Sequence, residues 1–364
     1  MHVALIANDT TFIYNLRREI IQRLLDDGHQ VTVICQARSF REALEGMGAQ
    51  VIDVNTARRG RNVFSDIRLF FAYYRHLRAL RPDAVLSNNI KPNVYSGVAC
   101  RLLRIRHLPN VTGLGTAVET PGRLQKLTTR MYKWGVSGAD CVFFQNEENV
   151  QFFRARGMLP KKARICLLPG SGVNLQAHQP MDYPAGEETH FLFVARALKE
   201  KGIDLYLDSA QEICSRHRNV TFHVCGMCDD ERYIERLRQA EAAGYIRYHG
   251  EQKDMVPYLR MAHCLVHPSY YPEGMSNVLL EAAASARPMI ATDRSGCRET
   301  VDDGVNGYVI PVKDGPALTE ALERFLRLTW EERRDMGLAG RAKMEREFDR
   351  QTVVDMVMRE LERA

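Results

Sequence analysis

The chain has 364 residues, of which 45% are hydrophobic and 26% charged, a balance typical of a globular protein of about two domains. This composition excludes disordered, collagen-like and low-complexity proteins, and charged residues or prolines break every long apolar run before it could cross a membrane. The first residues lack the basic start and long apolar centre of a signal peptide, so we expect a cytoplasmic protein.

Positive charge is concentrated in the first half of the chain. Residues 1–170 hold 25 Lys and Arg against 13 Asp and Glu, a formal charge of +12, whereas residues 171–364 hold 25 against 32, a charge of −7. Such an asymmetry indicates an anionic partner for the first half, such as phosphate, nucleic acid or a lipid surface. A solvated, Arg-rich surface would explain the same excess.

Short apolar strands alternate with helices along the first half, which is the pattern of βαβ units around a parallel sheet. The predicted strands are 3–7, 31–35, 51–54, 84–87, 108–112 and 141–145. The predicted helices are 12–27, 39–47, 63–80, 93–104, 123–137 and 147–156. Because turn-forming residues fill 169–180, we expect a linker there.

The same alternation starts again after the linker. The predicted strands are 191–195, 220–225, 245–249, 264–267, 288–292 and 307–311. The predicted helices are 202–215, 229–242, 276–286, 314–328, 330–343 and 349–363. The sequence therefore predicts two doubly wound α/β domains, at 1–168 and 172–345, with a closing helix at about 349–364 that packs back on the first domain. Ligands of such sheets bind beyond the carboxyl ends of the strands, so we expect the chemistry in a cleft between the domains.

The segment HPSYYPEGMSNVLLEAAASARPMIAT (267–292) carries the strongest site pattern. A strand is followed by a loop with Glu273 and Gly274, and a helix begins near Ser276. The unpaired N–H groups at a helix start bind anions. Glu281 lies roughly 7 Å further along that helix, so one carboxylate stands on each side of the anion site. This layout suits a nucleotide sugar; two solvated glutamates are the alternative interpretation.

A second segment, FLFVARALKEKGIDLYLDSA (191–210), places two cations beside a helix start. Arg196 directly follows a strand, and Lys201 precedes the next helix. This arrangement suits a diphosphate, although loops after strands are commonly charged. No GxGxxG or GxxxxGK[ST] motif occurs, which argues against a dehydrogenase or an NTPase. Cys225 and Cys228 form a CxxC without the second ligand pair that a zinc site needs.

These segments, with the linker PGSGVN, resemble the retaining glycosyltransferases of family 4. The resemblance covers the whole second half, including 247–269 and 295–310, and extends more loosely to 12–21, 88–97 and 111–115. It implies an α/β protein of the GT-B fold, with two Rossmann-like domains that face each other across a cleft. The segments of the first half look like those of bacterial enzymes that extend undecaprenyl-diphosphate-linked saccharides.

The resemblance also implies roles for individual residues. Glu281 would hold the ribose of the donor and Glu273 its sugar, while Arg196 and Lys201 would neutralise the diphosphate. Further donor contacts, several of them through backbone N–H groups, are expected at Gly274, Met275, Ser276, Asn277, Gly250 and Glu251. Acceptor contacts are expected at Asn15, Arg17, Lys91, Gly113 and Gly115.

The first half departs from the family pattern in two loops. Asn8–Thr11 stand where many members have a glycine-rich loop, and Ser87–Lys91 stand where many have a histidine near the reaction centre. Asparagine side chains and Lys91 could still hold a hydroxyl group or an acceptor phosphate.

The predicted reaction is retaining transfer of a hexose or N-acetylhexosamine, GalNAc first and then Gal or GlcNAc, from a UDP-sugar to a polyprenyl-diphosphate-linked saccharide. The product would enter glycan, O-antigen or capsule assembly. The resemblance implies that neither a metal nor another cofactor is needed, because cationic side chains take the place of a metal. A UDP-sugar 2-epimerase of the same fold and a non-catalytic sugar-binding protein are the alternatives.

Three basic sets in the first half are candidates for a membrane surface. They are Arg58, Arg59 and Arg61; Arg101, Arg104 and Arg106; and Arg123, Lys126, Arg130 and Lys133 with Trp134. A polyprenyl-linked acceptor lies in a bilayer, so these sets predict peripheral docking on the anionic inner face of the plasma membrane. Solvated Arg-rich helices are the alternative. Nucleic acid is not an expected partner, because no aromatic-interleaved strand or recognition helix accompanies the arginines.

Overall fold

The structure is a computed structural model that describes residues 1–54, 63–115, 122–160 and 162–363. The chain divides into two compact units. Unit 1 comprises Met1–Ser171, Glu273–Met275 and Arg350–Ala364, and unit 2 comprises Gly172–Pro272 and Ser276–Asp349. The predicted basic set of Arg58, Arg59 and Arg61 lies outside the described residues.

Unit 1 is built on a seven-stranded parallel sheet with the order β3-β2-β1-β4-β5-β6-β7. Its strands are β1 His2–Asp9, β2 Gln30–Gln36, β3 Gln50–Asp53, β4 Ala84–Asn88, β5 Arg106–Val111, β6 Cys141–Phe144 and β7 Arg164–Leu167. Its helices are α1 Thr10–Asp26, α2 Arg41–Gly46, α3 Val63–Leu80, α4 Ile90–Leu103, α5 Arg123–Val136, α6 Glu147–Ala155 and the closing helix α13 Arg350–Glu362. The central strand β4 is buried at all five residues, because helices cover both faces of the sheet.

The closing helix α13 packs into the core of unit 1 through Val353, Val357 and Leu361. Hydrogen bonds from arginine side chains fix both of its ends. The guanidinium of Arg350 donates to the carbonyl oxygen of Asn15 at 2.8 Å, and Arg106 donates to the carbonyl oxygen of Leu361 at 3.0 Å. Arg106 therefore bonds to carbonyl groups that have no partner inside the last turn of α13. This role in the fold corrects the assignment of Arg106 to the basic surface.

Unit 2 repeats the strand order of the first six strands, as β10-β9-β8-β11-β12-β13. Its strands are β8 Thr189–Val194, β9 Val220–Cys225, β10 Ile246–Tyr248, β11 Cys264–His267, β12 Met289–Thr292 and β13 Gly307–Ile310. Its helices are α7 Ile203–Arg216, α8 Glu231–Ala242, α9 Val256–Met261, α10 Asn277–Ala284, α11 Gly315–Leu326 and α12 Trp330–Glu347. Short 3₁₀ helices occupy Lys199–Lys201 and Arg298–Thr300.

The predicted α/β fold with two Rossmann-like domains is confirmed. The sequence missed two short elements, the edge strand β7 and the six-residue helix α9. In the part of the chain that the structure describes, no helix combines the length and apolar character that a bilayer crossing requires.

Four histidines are buried in an uncharged state. Burial lowers the pKa of His107, His223 and His267 to about 3, and that of His263 to about 4. The neighbouring side chains of His190 and His249 lower the pKa of His223 further, and Lys201 does the same for His267. Each imidazole is therefore neutral in the folded protein at physiological pH.

We expect the folded protein to lose stability as the pH falls below about 6.5, the pKa of a histidine in an unfolded chain. Below this pH the histidines of the unfolded chain bind protons. The buried imidazoles of the folded chain do not bind them until about pH 4 or below. Between these two pH values, each buried histidine lowers the free energy of unfolding by up to about 1.4 kcal/mol per pH unit. Above about pH 6.5 it has no such effect. Urea denaturation followed by circular dichroism measures the effect; midpoints that do not change between neutral pH and about pH 5 would contradict it.

Candidate functional site

The strand order changes direction in unit 2 between β8 and β11, which is where doubly wound sheets bind ligands. Arg196 follows β8 by two residues and is exposed, and Lys201 ends the next turn. The two side chains interact electrostatically, so the pair of cations predicted from the sequence lies together in space. Both stand at the carboxyl edge of the sheet, ahead of the N-terminus of α7.

The side chain of Lys201 is half-buried. Burial, reinforced by the charge of Arg196, lowers the pKa of its ammonium group to about 8. The ammonium lies 5.0 Å from the ring centre of Tyr271. The buried thiol of Cys297 is also close, and burial raises its pKa to about 12, so it contributes no counter-charge near neutral pH. Lys201 is thus a half-buried cation beside an aromatic ring, and its partial loss of water strengthens its attraction for an anion.

Gly202 fixes the turn that presents Lys201. Its φ is +77°, and a Cβ atom at this position would lie 2.2 Å from the carbonyl oxygen of Pro268. The turn is held to the loop after β11, because the Tyr270 N–H donates to the carbonyl oxygen of Glu200 at 2.9 Å. Only glycine fits this close approach of two backbones without strain.

The start of α10 differs from the simple cap that the sequence suggested. Ser276 holds the N-cap position, but its hydroxyl does not bond to the helix; it lies 3.2 Å from Nε2 of His267. Its N–H donates to the carbonyl oxygen of Gly296 at 2.8 Å. Among the described residues no partner is seen for the N–H groups of Asn277 and Val278, as expected for the first turn of a helix. These groups, rather than the Ser276 N–H, are open to an anion.

Asn277 and Glu281 follow on the same helix. The buried Oδ1 of Asn277 has no hydrogen-bond partner within the described chain, so it can accept from a ligand hydroxyl. Glu281 is half-buried, one turn beyond. Gly250 and Glu251, at the end of β10, lie on the same edge of the sheet, where the carbonyl oxygen of Gly250 accepts from the Gly226 N–H at 2.7 Å.

The predicted loop Glu273–Met275 belongs to unit 1. The Gly274 N–H donates to the carbonyl oxygen of Thr112 at 3.1 Å, at the end of β5. The Asn146 side chain, at the end of β6, donates to the carbonyl oxygens of Gly274 at 2.6 Å and Glu273 at 3.2 Å. The N–H of Gly274 is therefore engaged within the protein. Of the backbone N–H donors predicted in this loop, only that of Met275 remains as a candidate.

Unit 1 has its own switch point, between β1 and β4. The Asn8 N–H donates to Oδ1 of Asn89 at 3.1 Å, and this bond joins the ends of the two strands. Two residues further on, the Lys91 ammonium lies 2.8 Å from a carboxylate oxygen of Asp66. Gly113 and Gly115 follow β5 on the same edge, and both have positive φ angles, of 135° and 66°.

Of the expected acceptor residues, Arg17 is engaged within the fold, whereas the side chain of Asn15 stays exposed. Arg17 is 3% exposed, and its Nε donates to Oδ1 of Asn88 at 3.0 Å. It therefore stabilises the end of β4 from within the protein interior. Burial lowers its pKa to about 9. Asn15 keeps an exposed side chain, although its carbonyl oxygen accepts from Arg350.

Sequence reasoning missed three residues that shape the site. Asn146 and Thr112 hold the Glu273–Met275 loop, and His267 positions Ser276. Asn146 could have been noticed, because an Asn directly after a buried strand and before a helix is a typical N-cap. No cluster of three or more potential metal-ligating side chains is found within the described ranges.

Two family models match the chain. "Glycosyl transferase 4-like domain" matches residues 16–170, and "Glycosyl transferases group 1" matches residues 181–343. The chain is a glycosyltransferase whose two halves each match a glycosyltransferase domain. This result confirms the predicted family resemblance and the predicted enzyme class.

Known proteins agree with this assignment. The chain is 26% identical over 343 residues to the N,N'-diacetylbacillosaminyl-diphospho-undecaprenol alpha-1,3-N-acetylgalactosaminyltransferase of Campylobacter jejuni, with 90% of this chain and 89% of the relative covered. The fold is similar to that of sucrose-phosphate synthase from Thermosynechococcus elongatus, with a TM-score of 0.80, 20% identity and 99% and 98% of the two chains covered. It is also similar to Anabaena HepE in complex with UDP, with a TM-score of 0.79, 15% identity and 99% of each chain covered.

We expect Gly274→Ala to disturb the glycosyltransferase locally. The added Cβ would lie 2.3 Å from the side-chain oxygen of Gln145 and 2.8 Å from the carbonyl carbon of Thr112. The loop must shift, which should cost about 1–3 kcal/mol of stability and lower the rate of transfer. Urea denaturation and steady-state kinetics measure the two effects.

Gly46→Ala is the matched control in unit 1, because a Cβ there meets nothing within 4 Å. It should leave both measurements near those of the wild type. Equal behaviour of the two variants would show that the contact at Gly274 is not needed.

Proposed function

We propose that this glycosyltransferase moves a hexose or N-acetylhexosamine from a UDP-sugar to a polyprenyl-diphosphate-linked saccharide, with retention of anomeric configuration. The proposal rests on two cationic side chains, Arg196 and the half-buried Lys201, that lie close together at the switch point of unit 2. The relative from Campylobacter, whose name specifies a diphospho-undecaprenol acceptor, supports the acceptor class and makes GalNAc the first sugar to test, before Gal and GlcNAc. The similarity to a structure that contains UDP supports the nucleotide.

Charge accounts for the donor half of the reaction. When the bond between the anomeric carbon and the diphosphate oxygen breaks, negative charge develops on UDP. Arg196, Lys201 and the open N–H groups of α10 would stabilise this charge without rearranging, since turns and backbone contacts already fix them. Glu281 would accept from the ribose hydroxyls and Glu273 from the sugar hydroxyls. Gly250 and Glu251 would lie beside the uracil.

Retention would follow from attack on the face that the diphosphate leaves. The acceptor hydroxyl would form the new bond to the anomeric carbon as the old bond to the phosphate oxygen breaks. The hydroxyl proton would pass to the departing phosphate oxygen, so the step requires no side chain as a base. It also requires no metal, because two cationic side chains supply the positive charge.

Lys91 would bind the diphosphate of the acceptor. It lies at the carboxyl edge of unit 1, in the first turn of α4, where a lysine and a helix N-terminus both attract phosphate. Its partner Asp66 would be displaced or would share the ammonium when the diphosphate arrives. Gly113 and Gly115 would give the acceptor close access to the backbone at the end of β5.

The outer surface of α3, α4 and α5 would dock on the membrane. We call it the α3–α5 face; its exposed basic residues are Arg68, Arg75, Arg78, Arg101, Arg104, Arg123, Lys126, Arg130 and Lys133. Its exposed apolar residues are Phe64, Ile67, Phe71, Leu102, Leu127 and Trp134, between 47% and 79% exposed. The three helices contain one acidic residue, Asp66, which is paired with Lys91. Basic residues interleaved with exposed apolar side chains suit an anionic bilayer surface.

Removal of the ammonium of Lys201 should weaken UDP binding. We expect Lys201→Met to lose roughly 10- to 100-fold in UDP affinity, because a charge-assisted hydrogen bond contributes about 1.5–3 kcal/mol. In the wild type, kcat/KM for the donor should fall as the pH rises through about 8, where the free ammonium loses its proton. Calorimetry with UDP and a pH–rate profile provide the two measurements.

Lys201→Arg is the matched control, since its guanidinium stays protonated and should move the fall to higher pH. An unchanged profile in Lys201→Arg, or full UDP affinity in Lys201→Met, would contradict the proposal.

The wild-type protein should transfer sugar to N,N'-diacetylbacillosaminyl-diphospho-undecaprenol from UDP-GalNAc, UDP-galactose or UDP-N-acetylglucosamine. It should release UDP and form an α-linked product from an α-linked donor. NMR of the product shows the anomeric configuration.

The α3–α5 face should bind vesicles in proportion to their anionic lipid. We expect the double variant Arg130→Ser, Lys133→Ser to bind anionic vesicles roughly 30-fold more weakly, at about 1 kcal/mol for each lost charge. Cosedimentation with phosphatidylglycerol vesicles measures this. Arg238→Ser, an exposed position in unit 2, serves as the control and should leave binding unchanged. Equal binding to purely zwitterionic vesicles would exclude the membrane role.

A further inference from the structure

An exposed aromatic stack stands at the carboxyl edge of unit 1, outside the residues assigned so far. The rings of Tyr14 and Phe40 are parallel, with an interplanar angle of 3° and centres 4.5 Å apart. Tyr14 is half-buried in α1, whereas Phe40, in the loop after β2, is 41% exposed. One face of the Phe40 ring therefore covers Tyr14.

Phe40 is an unfavourable residue at its position for two independent reasons. Its φ is +69°, a left-handed conformation that costs a bulky side chain about 1–3 kcal/mol. It also occupies the N-cap of α2 without making a cap hydrogen bond, where Ser, Thr, Asp, Asn or Gly is preferred. Asparagine or glycine would satisfy both requirements. Neither the backbone conformation nor the helix cap explains an exposed phenylalanine here.

The loop that carries Phe40 is held in place by α1. The hydroxyl of Thr10 donates to the carbonyl oxygen of Ser39 at 2.7 Å and accepts from the Arg38 N–H at 2.9 Å. The guanidinium of Arg18 lies 5.3 Å from the ring centre of Tyr14. The aromatic stack is thus preorganised at the ends of β1 and β2, and the exposed side chain of Asn15 follows Tyr14 directly.

The position of the stack separates it from the donor contacts of the same unit. The loop with Gly274 is bound at the end of β5, and in the sheet order three strand spacings lead from β5 through β4 and β1 to β2. At about 4.8 Å per spacing this is roughly 14 Å. A sugar that touches Gly274 does not extend that far. The β1–β4 switch point, where we place the acceptor, lies between the two.

We propose that Phe40, backed by Tyr14, is a stacking platform for a pyranose ring of the acceptor saccharide. The apolar C–H groups on one face of such a ring would pack against the exposed aromatic face, and neighbouring polar groups such as Asn15 would reach its hydroxyls. This inference rests on the proposed function, since it takes the acceptor to be a lipid-linked saccharide. It assigns specificity for the acceptor to a residue that touches neither the donor nor its diphosphate.

The platform predicts an effect confined to the acceptor. With UDP-GalNAc and N,N'-diacetylbacillosaminyl-diphospho-undecaprenol, Phe40→Leu should raise the acceptor KM roughly tenfold, with UDP affinity unchanged. Phe40→Trp, which keeps an aromatic face, should retain the wild-type KM. Turnover by Phe40→Leu at the wild-type acceptor KM would overturn the inference. Absence of UDP binding or turnover in the wild type would instead reject the proposed function.

Fluorescence distinguishes a sugar from a prenyl chain as the occupant. The indole of Phe40→Trp should shift its emission when N,N'-diacetylbacillosaminyl-diphospho-undecaprenol is added, and not when undecaprenyl diphosphate without a sugar is added. Trp134→Phe and Trp330→Phe, introduced together in the Phe40→Trp background, remove the emission of both native tryptophans, including that of the α3–α5 face. Equal shifts with both lipids would assign the ring to the prenyl chain and overturn the saccharide platform.

Discussion

The carboxyl edges of two parallel sheets determine where this protein can bind a substrate. Helices cover both faces of each sheet, so the strand ends are the places where polar side chains and backbone groups stay accessible. In unit 2 the strand order reverses between β8 and β11, and Arg196 and Lys201 lie there. In unit 1 it reverses between β1 and β4, beside Asn89 and Lys91. The same topological constraint therefore gives each unit its own binding edge, for which we propose the nucleotide in unit 2 and the acceptor in unit 1.

Desolvation distinguishes Lys201 from the exposed Arg196 in unit 2. Burial costs Lys201 part of its hold on the proton, which is why its pKa falls to about 8. Two groups near it stay neutral, because burial keeps His267 unprotonated and the Cys297 thiol protonated. No neighbouring thiolate therefore satisfies the ammonium in advance, and no imidazolium repels it. The same neutral His267 holds Ser276, so a single buried imidazole supports the loop without adding charge to an anion site.

Unit 1 combines a rigid interior with an outer surface suited to a charged partner. The closing helix α13 is held by Arg350 and Arg106, so Arg106 of the basic first half serves the fold rather than the outer surface. Arg17 likewise supports β4 from inside. The arginines of the α3–α5 face remain exposed, as do Phe71 and Trp134, and the acidic Asp66 is paired with Lys91. Charge counting along the sequence could not separate these two populations of arginine.

The sequence by itself determined the alternation of strands and helices, because strands buried on both faces must be apolar runs and their connecting helices must be amphipathic. It also determined which loops carry the two cations and Glu273, and which helix carries Glu281. It missed β7, an edge strand with mostly exposed residues, and α9, which is too short to show a helical period. Only the tertiary structure decided that Gly274 and Ser276 use their N–H groups on Thr112 and Gly296, that Asp66 pairs with Lys91, and that Phe40 stacks on Tyr14. The physical reason is that hydrogen bonds and stacking join residues far apart in the chain, whereas periodicity reports only on neighbours.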